Sequence, residues 1–510
     1  MEKKAFSTKL GTLSISIIRV ISIILLILLF TINLVYTAKV SYDYNEKVSY
    51  NITFWYLIPL IILVVMFVYV SGLLKNASAL NLYIMFSVIY IAAALFIIFS
   101  FSNHILADAA NCWSISSQFI GGDFSALQKG GYINFYPFQL GLVTYDMIVR
   151  LFSGNERLLY IICLIEVLII NWFGYLISDK LFGNKLISNI TLTLEFLFLP
   201  QFFLIQYGYG TIPGMCCIMI SSYHFVCLSY KEKAPYHGAL AILFAVFAAI
   251  LKQNFCIAAI AMGIILVVNF LQEKKNAYYL LIAVLIVFLP LSANTAVKNI
   301  YSTITGIDIG DGVPIISWIA MGTDLDNEMR APGWYDGSSW SDYVDCNYDT
   351  KATSEMARAK FRENISDSLK NPSRTVKFYG KKIISMWTDP MFQSVYRGPL
   401  INEGQCTETS SRVLVSLYTG GRVEQIIAVI MKGLLILIIA TTLLYQLCHG
   451  KEKTGVLLFP LYMIGGFIFH FFSEAKSEYM YMYIFVLLPI CAYELVQIRA
   501  FLRDRHQKAR

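Results

Sequence analysis

Charge is what this sequence lacks most. Of its 510 residues only 14% are Asp, Glu, Lys or Arg, while 57% are hydrophobic. A soluble domain is usually about 25% charged, so an ordinary soluble domain is excluded. The ten cysteines show no CxxC pair and no Cys/His metal spacing. Cys163, Cys216, Cys217, Cys227 and Cys256 fall in apolar runs and read as small core residues. Cys112, Cys346 and Cys406 fall in polar segments, and a disulfide between two of them stays open. No sustained basic patch with interleaved aromatics is present, so nothing argues for nucleic acid. "GIDIGDG" lacks the strand-then-helix frame of a dinucleotide site. No internal repeat marks a transporter built from paired halves. The first apolar run follows "MEKKAFSTKLG" and has no small-residue cleavage site, so it reads as an anchor. The sequons at Asn51, Asn189 and Asn364 are chance-level, and Asn189 falls inside a span.

What is there instead is a series of apolar runs near 20 residues, the length that crosses a hydrocarbon core of roughly 30 Å. Twelve are expected, at 12–38, 53–74, 79–101, 157–178, 185–206, 210–229, 235–253, 254–271, 277–298, 424–446, 455–473 and 479–500. The fold class expected is therefore an all-α polytopic membrane protein. It divides into N-terminal helices (1–101), a first polar loop (102–156), a transmembrane core (157–298), a mostly helical polar domain (299–422) and C-terminal helices (423–510). Short-loop Lys and Arg set orientation. Lys3, Lys4, Lys9, Lys75, Lys180, Lys185, Lys231, Lys233, Lys274, Lys275, Lys451, Lys453 and the basic C-terminus share one side, which places both termini in the cytoplasm. That parity requires 136–154, "YPFQLGLVTYDMIVRLFSG", not to cross. It is short, contains Asp146 and Arg150 at i,i+4, and places Pro137 near a first turn. It reads as an amphipathic helix at the outer interface.

The two long polar segments then face outside, together with "QYGYGTIPG" (206–214), "KQN" (252–254) and "SEAKSEY" (473–479). In 299–422, "TSEMARAKFRENISDSLKN" has a helix cap at Thr353 or Ser354, and "PSRTVKFYGKKIISMW" is a second amphipathic stretch. Nearly all polar chemistry thus gathers on one face of the membrane.

Asp108 stands within two helical turns of the end of the third run. An Asp at the bilayer centre costs about 2.5–3.5 kcal/mol and far less at the interface, so its placement alone is compatible with a solvated loop acid. Its context adds Asp123 after "GG", Lys129 in "KGGY", and Tyr136 and Gln139 in "YPFQLG". Together with "LFSG", "PLSANTAVKNIYSTITG", "GVPIISWIAMG", "PGWYDG" and "FIFHFFSEAKSEYMYMY", these segments resemble, in order and topology, the GT-C superfamily of membrane glycosyltransferases. The similarity is to the bacterial protein O-mannosyltransferase and aminoarabinose-transferase-like branch.

The resemblance implies inverting transfer of a sugar from a polyprenyl-phosphate donor to a glycan, lipid or protein acceptor at the outer face of the cell membrane. Asp108 occupies the position of the family's proposed general base. A positioned carboxylate that takes an acceptor hydroxyl's proton contributes about 10²–10⁴-fold, and the leaving phosphate needs cations or donors. Lys476 and Lys252 stand at outer span ends, and Lys129 is a third candidate. Related sequences read "EAKSRY" where this chain has "EAKSEY", so an Arg suited to phosphate is Glu478 here. Lys476 keeps the role alone or with a metal. A divalent ion (Mg or Mn) shared by Asp108, Asp123 and the donor phosphate is a further expectation. Tyr207, Tyr209, Asn254, Glu474 and Tyr479 complete the expected substrate-binding set. His470 and His104 read as packed residues, with His470 a candidate partner of Glu474. Trp334 and Tyr335 either cover an acceptor or fill the core of the outer domain.

Two other classes compete. A secondary transporter or lipid flippase would use the mid-span acids Glu166 and Glu195. A non-catalytic component of a surface-polysaccharide assembly complex would tolerate loss of Asp108.

Overall fold

The computed structural model describes residues 2–43, 45–52, 55–101, 105–230, 234–273, 277–401, 410–449 and 454–508. His104, Cys406, Lys231, Lys233, Lys274, Lys275, Lys451, Lys453 and Arg510 lie outside them. Among the described residues the chain forms 22 α-helices and one two-stranded antiparallel sheet. It is an α-helical polytopic membrane protein. Nine helices are long and apolar enough to span a bilayer, or eleven if two bent pairs each count as one span. The seventh expected run, 235–253, contains the shorter apolar helix Pro235–Leu251.

The helices are arranged around a buried centre. Thr211–Ser229 is mostly buried, whereas Leu57–Leu74 is mostly exposed. The latter exposes Ile58, Ile61, Ile62 and Val65, an apolar surface that suits lipid rather than water. One bent pair joins Lys185–Leu197 to Leu199–Tyr207 at 49°. Pro200, at the start of the second helix, explains the break, because its ring and missing N–H interrupt a continuing helix.

Three details differ from the sequence reading. The first helix runs from Glu2 to Val35 and gives way to a hairpin, Tyr36–Val40 paired with Val48–Ile52; the expected span 12–38 therefore ends in a strand. The helix Thr350–Lys370 is capped by Asp349, whose carboxylate accepts from the N–H groups of Lys351 and Ala352, rather than by Thr353 or Ser354. Asp and its side-chain oxygen satisfy the first free amides as well as Ser or Thr would. The helix expected at 277–298 continues to Thr305 and stops at Gly306, φ +71°.

The segment 136–154 begins with a 3₁₀ turn, Pro137–Gln139, and continues as the helix Leu140–Arg150. It is not among the helices able to span. Ile148, Leu151 and Phe152 are exposed, while Leu140, Leu142 and Val143 are buried. Its Asp146 and Arg150 do not bond each other. The Arg150 guanidinium donates to Trp113 O and Ser116 Oγ and lies 3.7 Å from the Trp113 ring centroid. Asp146 is fully buried with both oxygens unbonded, and burial pushes its carboxyl well above the usual range despite Arg150.

The hairpin braces the polar end of the bundle. Val48 N–H donates to Arg330 O at 3.2 Å and Ala38 N–H to Thr388 Oγ1 at 2.9 Å. Gly333 also sits against this frame, with φ +71°. A side chain there would meet Lys382, which donates to Gly322 O at 2.5 Å and Ser473 O at 2.8 Å. These links fix the polar segment 299–422 to the loop that follows the helix Leu458–Phe472.

Candidate active site

The helix Ala107–Ile120 carries Asp108 in its first turn, where the free amides of a helix N-terminus favour negative charge. Asp108 is half-buried. Tyr132, at the start of the short helix Tyr132–Phe135, donates its hydroxyl to Asp108 Oδ1 at 3.1 Å. The Tyr132 ring meets Tyr136 edge-on at 5.2 Å, and Tyr136 and Tyr335 both lie against Trp318, with ring centroids 6.1 and 6.2 Å from it. Gly131 allows this approach, because a Cβ there would lie 2.5 Å from Ala126 O.

A second wall comes from 206–211. Gly208 adopts φ +60° and brings the rings of Tyr207 and Tyr209 to 5.1 Å. Gln139 donates to Tyr209 Oη at 2.5 Å and accepts from Cys112 Sγ at 3.9 Å. Cys112 and Cys346 are free thiols, so they form no disulfide with each other.

Lys252 reaches into the same space. It is 8% exposed, donates to Thr211 Oγ1 at 3.0 Å, and lies 4.5 Å from the Tyr209 ring centroid and 5.3 Å from that of Tyr479. Among the described residues no carboxylate bonds it. Burial therefore lowers its ammonium to about 8, with Glu478 and Asp108 acting against that shift and Arg397 and Lys476 adding to it. Asn254 is half-buried in the adjoining turn Gln253–Phe255.

The third wall is 473–479. Lys476 Nζ stands 3.9 Å from Glu474 Oε1, and the Tyr479 hydroxyl donates to the same oxygen at 3.5 Å. Burial pushes Glu474 up to about 7 against the pull of Lys476, and Glu478 and Asp108 push the same way. Lys476 is raised, because Glu46, Glu478 and Glu474 outweigh the effect of burial. His470 touches Glu474 through the backbone, Nδ1 to O at 3.1 Å, and stacks on Tyr479 at 4.9 Å. It orients the loop and does not bond the Glu474 carboxylate.

Behind these residues lies a buried ionic group that sequence reasoning missed. Glu478 Oε2 accepts from Arg397 Nε at 2.6 Å, Arg397 Nη2 lies 3.2 Å from Glu46 Oε1, and Glu46 also pairs with Arg330. Glu46 sits at the hairpin tip with φ +48° and is 4% exposed. Burial would raise its carboxyl, yet Lys476, Arg397 and Arg330 hold it below the ordinary value. Glu46, Arg330 and Arg397 occupy unremarkable local contexts, and only their mutual pairing across the fold reveals them.

Two expected residues do not join. Asp123 is exposed and its Oδ1 accepts from Ser125 N–H at 2.9 Å, which lowers its carboxyl. Lys129 is exposed, donates to Asn347 Oδ1 at 2.9 Å and lies over Tyr348. Asp123 serves its own turn, and Lys129 ties the first polar loop to the polar segment 299–422. A metal shared by Asp108 and Asp123 gains no third ligand, since among the described residues no group of three or more His, Cys, Asp or Glu side chains is placed to hold one. Trp334 fills the core, fully buried and donating to Ser385 Oγ at 2.9 Å, while Tyr335 remains half-buried beside Tyr136.

The arrangement brings four carboxylates, Asp108, Glu46, Glu474 and Glu478, together with four cations, Lys252, Arg330, Arg397 and Lys476. Two of the cations are locked in the buried ionic group. Lys252 and Lys476 have only weak or neutral partners. No protein-family model matches this chain, and no curated protein matches it.

Proposed function

We propose that this chain is a membrane glycosyltransferase of GT-C type. In this reading it moves a sugar from a polyprenyl-phosphate donor to an acceptor at the outer face of the cell membrane, with both termini in the cytoplasm. The observation that supports it best is the meeting of Asp108, Lys252 and Lys476. They come from three separate segments of the chain, and two carboxylates, Asp108 and Glu474, stand with the two ammonium groups among the rings of Tyr132, Tyr209 and Tyr479.

The chemistry follows from those groups. Asp108 takes the acceptor hydroxyl proton as that oxygen attacks the anomeric carbon, with Tyr132 holding the carboxylate in place. The bond from the anomeric carbon to the donor phosphate oxygen breaks, and Lys252 and Lys476 balance the charge that gathers on the phosphate. Attack opposite to departure gives inversion. The rings of Tyr136, Tyr209 and Tyr479 supply planes and hydroxyls for the sugar.

The test is transfer from a radiolabelled panel of polyprenyl-phosphate sugars in membranes, wild type against Asp108→Asn at matched expression. Transfer lost with donor binding kept supports the assignment; equal transfer overturns the base. One observation favours a second reading. Glu195 is fully buried on the helix Lys185–Leu197 with both oxygens unbonded, as a carrier acid of a transporter or flippase would be. Failure of wild type with every donor, together with substrate flux that Glu195→Gln abolishes, would select it.

A further inference from the structure

Next to the ionic group, and separate from the Asp108 space, a cavity of about 330 Å³ opens between the hairpin, the segment 389–396 and the first turns of the helix Arg422–Cys448. Its wall includes Thr37, Gln393, Asp389, Glu424, Trp55 and Tyr56. Two of these carry polar atoms that the protein leaves without partners: Thr37 Oγ1, on a residue 8% exposed, and Gln393 Nε2, on a residue 2% exposed. Leaving such groups unpaired is unfavourable, so a ligand offering hydroxyls would recover that loss.

The charge of the cavity narrows the ligand. Lys39, the cation on the wall, is paired with Glu424 at 2.8 Å. Asp389 accepts from Ser477 Oγ at 2.7 Å and from the N–H groups of Met391 and Gln393 at 2.9 Å. Among the described residues that line the cavity no under-bonded cation remains for a phosphate. Trp55 is 45% exposed, and its ring centroid lies 4.8 Å from that of Tyr56, which offers an apolar plane at the mouth. An amide, a hydroxyl, carboxylate oxygens able to accept, and an aromatic face are what a neutral sugar ring engages. The volume lies at the small end of ligand pockets, which suits one such ring.

We propose that this cavity binds a neutral glycosyl unit. It shares a wall with the candidate active site, because Gln393 Oε1 accepts from Glu478 N–H at 3.4 Å and Asp389 holds Ser477. Its role as a subsite for a sugar-bearing acceptor rests on the transferase reading; the binding itself does not. The sugar can come from a soluble saccharide or from a glycolipid headgroup, since both present the same ring.

The experiment uses the full chain in nanodiscs, with saturation-transfer-difference NMR for free methyl hexosides and, in a second arm, a neutral glycosyl diacylglycerol placed in the nanodisc. Saturable binding in either arm is expected, and the arm that binds identifies the source. Thr37→Val, which keeps the shape and removes the hydroxyl, is expected to weaken binding about 3–10-fold, the worth of one neutral hydrogen bond. Trp55→Ala, at the exposed mouth, is expected to weaken it as well, and Asp108→Asn to leave it unchanged. Absence of saturable binding in both arms overturns the proposal, as does binding that neither Thr37→Val nor Trp55→Ala alters. Sugar binding without transfer by wild type overturns the transferase reading and keeps the cavity; transfer without sugar binding does the reverse.

Discussion

Arg397 Nε donates to Glu478 Oε2 at 2.6 Å, and both side chains are at most 4% exposed. Glu478 lies on the 473–479 wall of the candidate site. The pairing explains how an acid is accommodated there: a guanidinium arrives from the polar segment 299–422, so the site keeps a cation beside its last loop, fixed by two carboxylates.

Removing that cation leaves Glu478 and Glu46 buried with too little compensation. Breaking a buried pair from one side typically costs 3–5 kcal/mol, so Arg397→Leu should lower thermal stability by about that amount in the detergent-solubilised protein. Arg397→Leu combined with Glu478→Leu should recover part of the loss. A single variant as stable as wild type would show that the group is solvated and not the brace described above.

Asp108 and Tyr132 make a separable prediction. Asp108→Asn should cut transfer about 10²–10⁴-fold with little change in unfolding temperature, because the carboxylate is half-buried and, among the described residues, its side-chain bond is from Tyr132. Tyr132→Phe keeps the base and loses only its restraint, so transfer should fall by roughly 3–10-fold, the scale of one hydrogen bond. Initial rates at saturating donor distinguish the two; a Tyr132→Phe defect as deep as that of Asp108→Asn would make the hydroxyl, not the carboxylate, the essential group.

Much of this arrangement was legible in the sequence because apolar length and loop polarity are local signals. They located the helix ends, and with them Asp108, Lys252, Lys476 and the tyrosines at 207 and 209. What was hidden depends on pairing at long range. Glu46 looks like a loop acid until Arg330 and Arg397, some 300 residues away in sequence, are seen against it. The hairpin was concealed because its strands adjoin apolar runs and carry no strict alternation. Asp123 and Lys129 stand apart for reasons their motifs do not show: Asp123 bonds within its own turn, while Lys129 reaches across to Asn347 and Tyr348.

Glu474 gives a pH dependence with a definite sign. Its folded-state pKa of about 7 lies above the ordinary carboxyl value of about 4.3, so the folded protein holds the proton more tightly. Its favourable contribution is complete below pH 4 and disappears as pH rises through 7. Wild type minus Glu474→Gln should therefore show a stability difference that shifts against wild type between pH 5 and 8. Unfolding midpoints of the two proteins across that range test it, and parallel curves would place the Glu474 carboxyl in ordinary solvent.

Lys252 is expected to set the alkaline limit of donor binding. Burial lowers it to about 8, so its ammonium is lost as pH rises through that value, and a lipid phosphate then loses a charge-assisted bond worth about 1.5–3 kcal/mol. Donor affinity of wild type should fall by about 10-fold or more between pH 7 and 9.5. Lys252→Met should begin at the weaker level and show a flatter profile. Lys252→Arg, which cannot lose its charge in this range, should hold its affinity to high pH even if the bulkier head binds less well at pH 7. Donor titrations of the three proteins at both pH values decide the matter. A Lys252→Met profile that still falls steeply would assign the alkaline limit to another group, with Lys476 the next cation to vary.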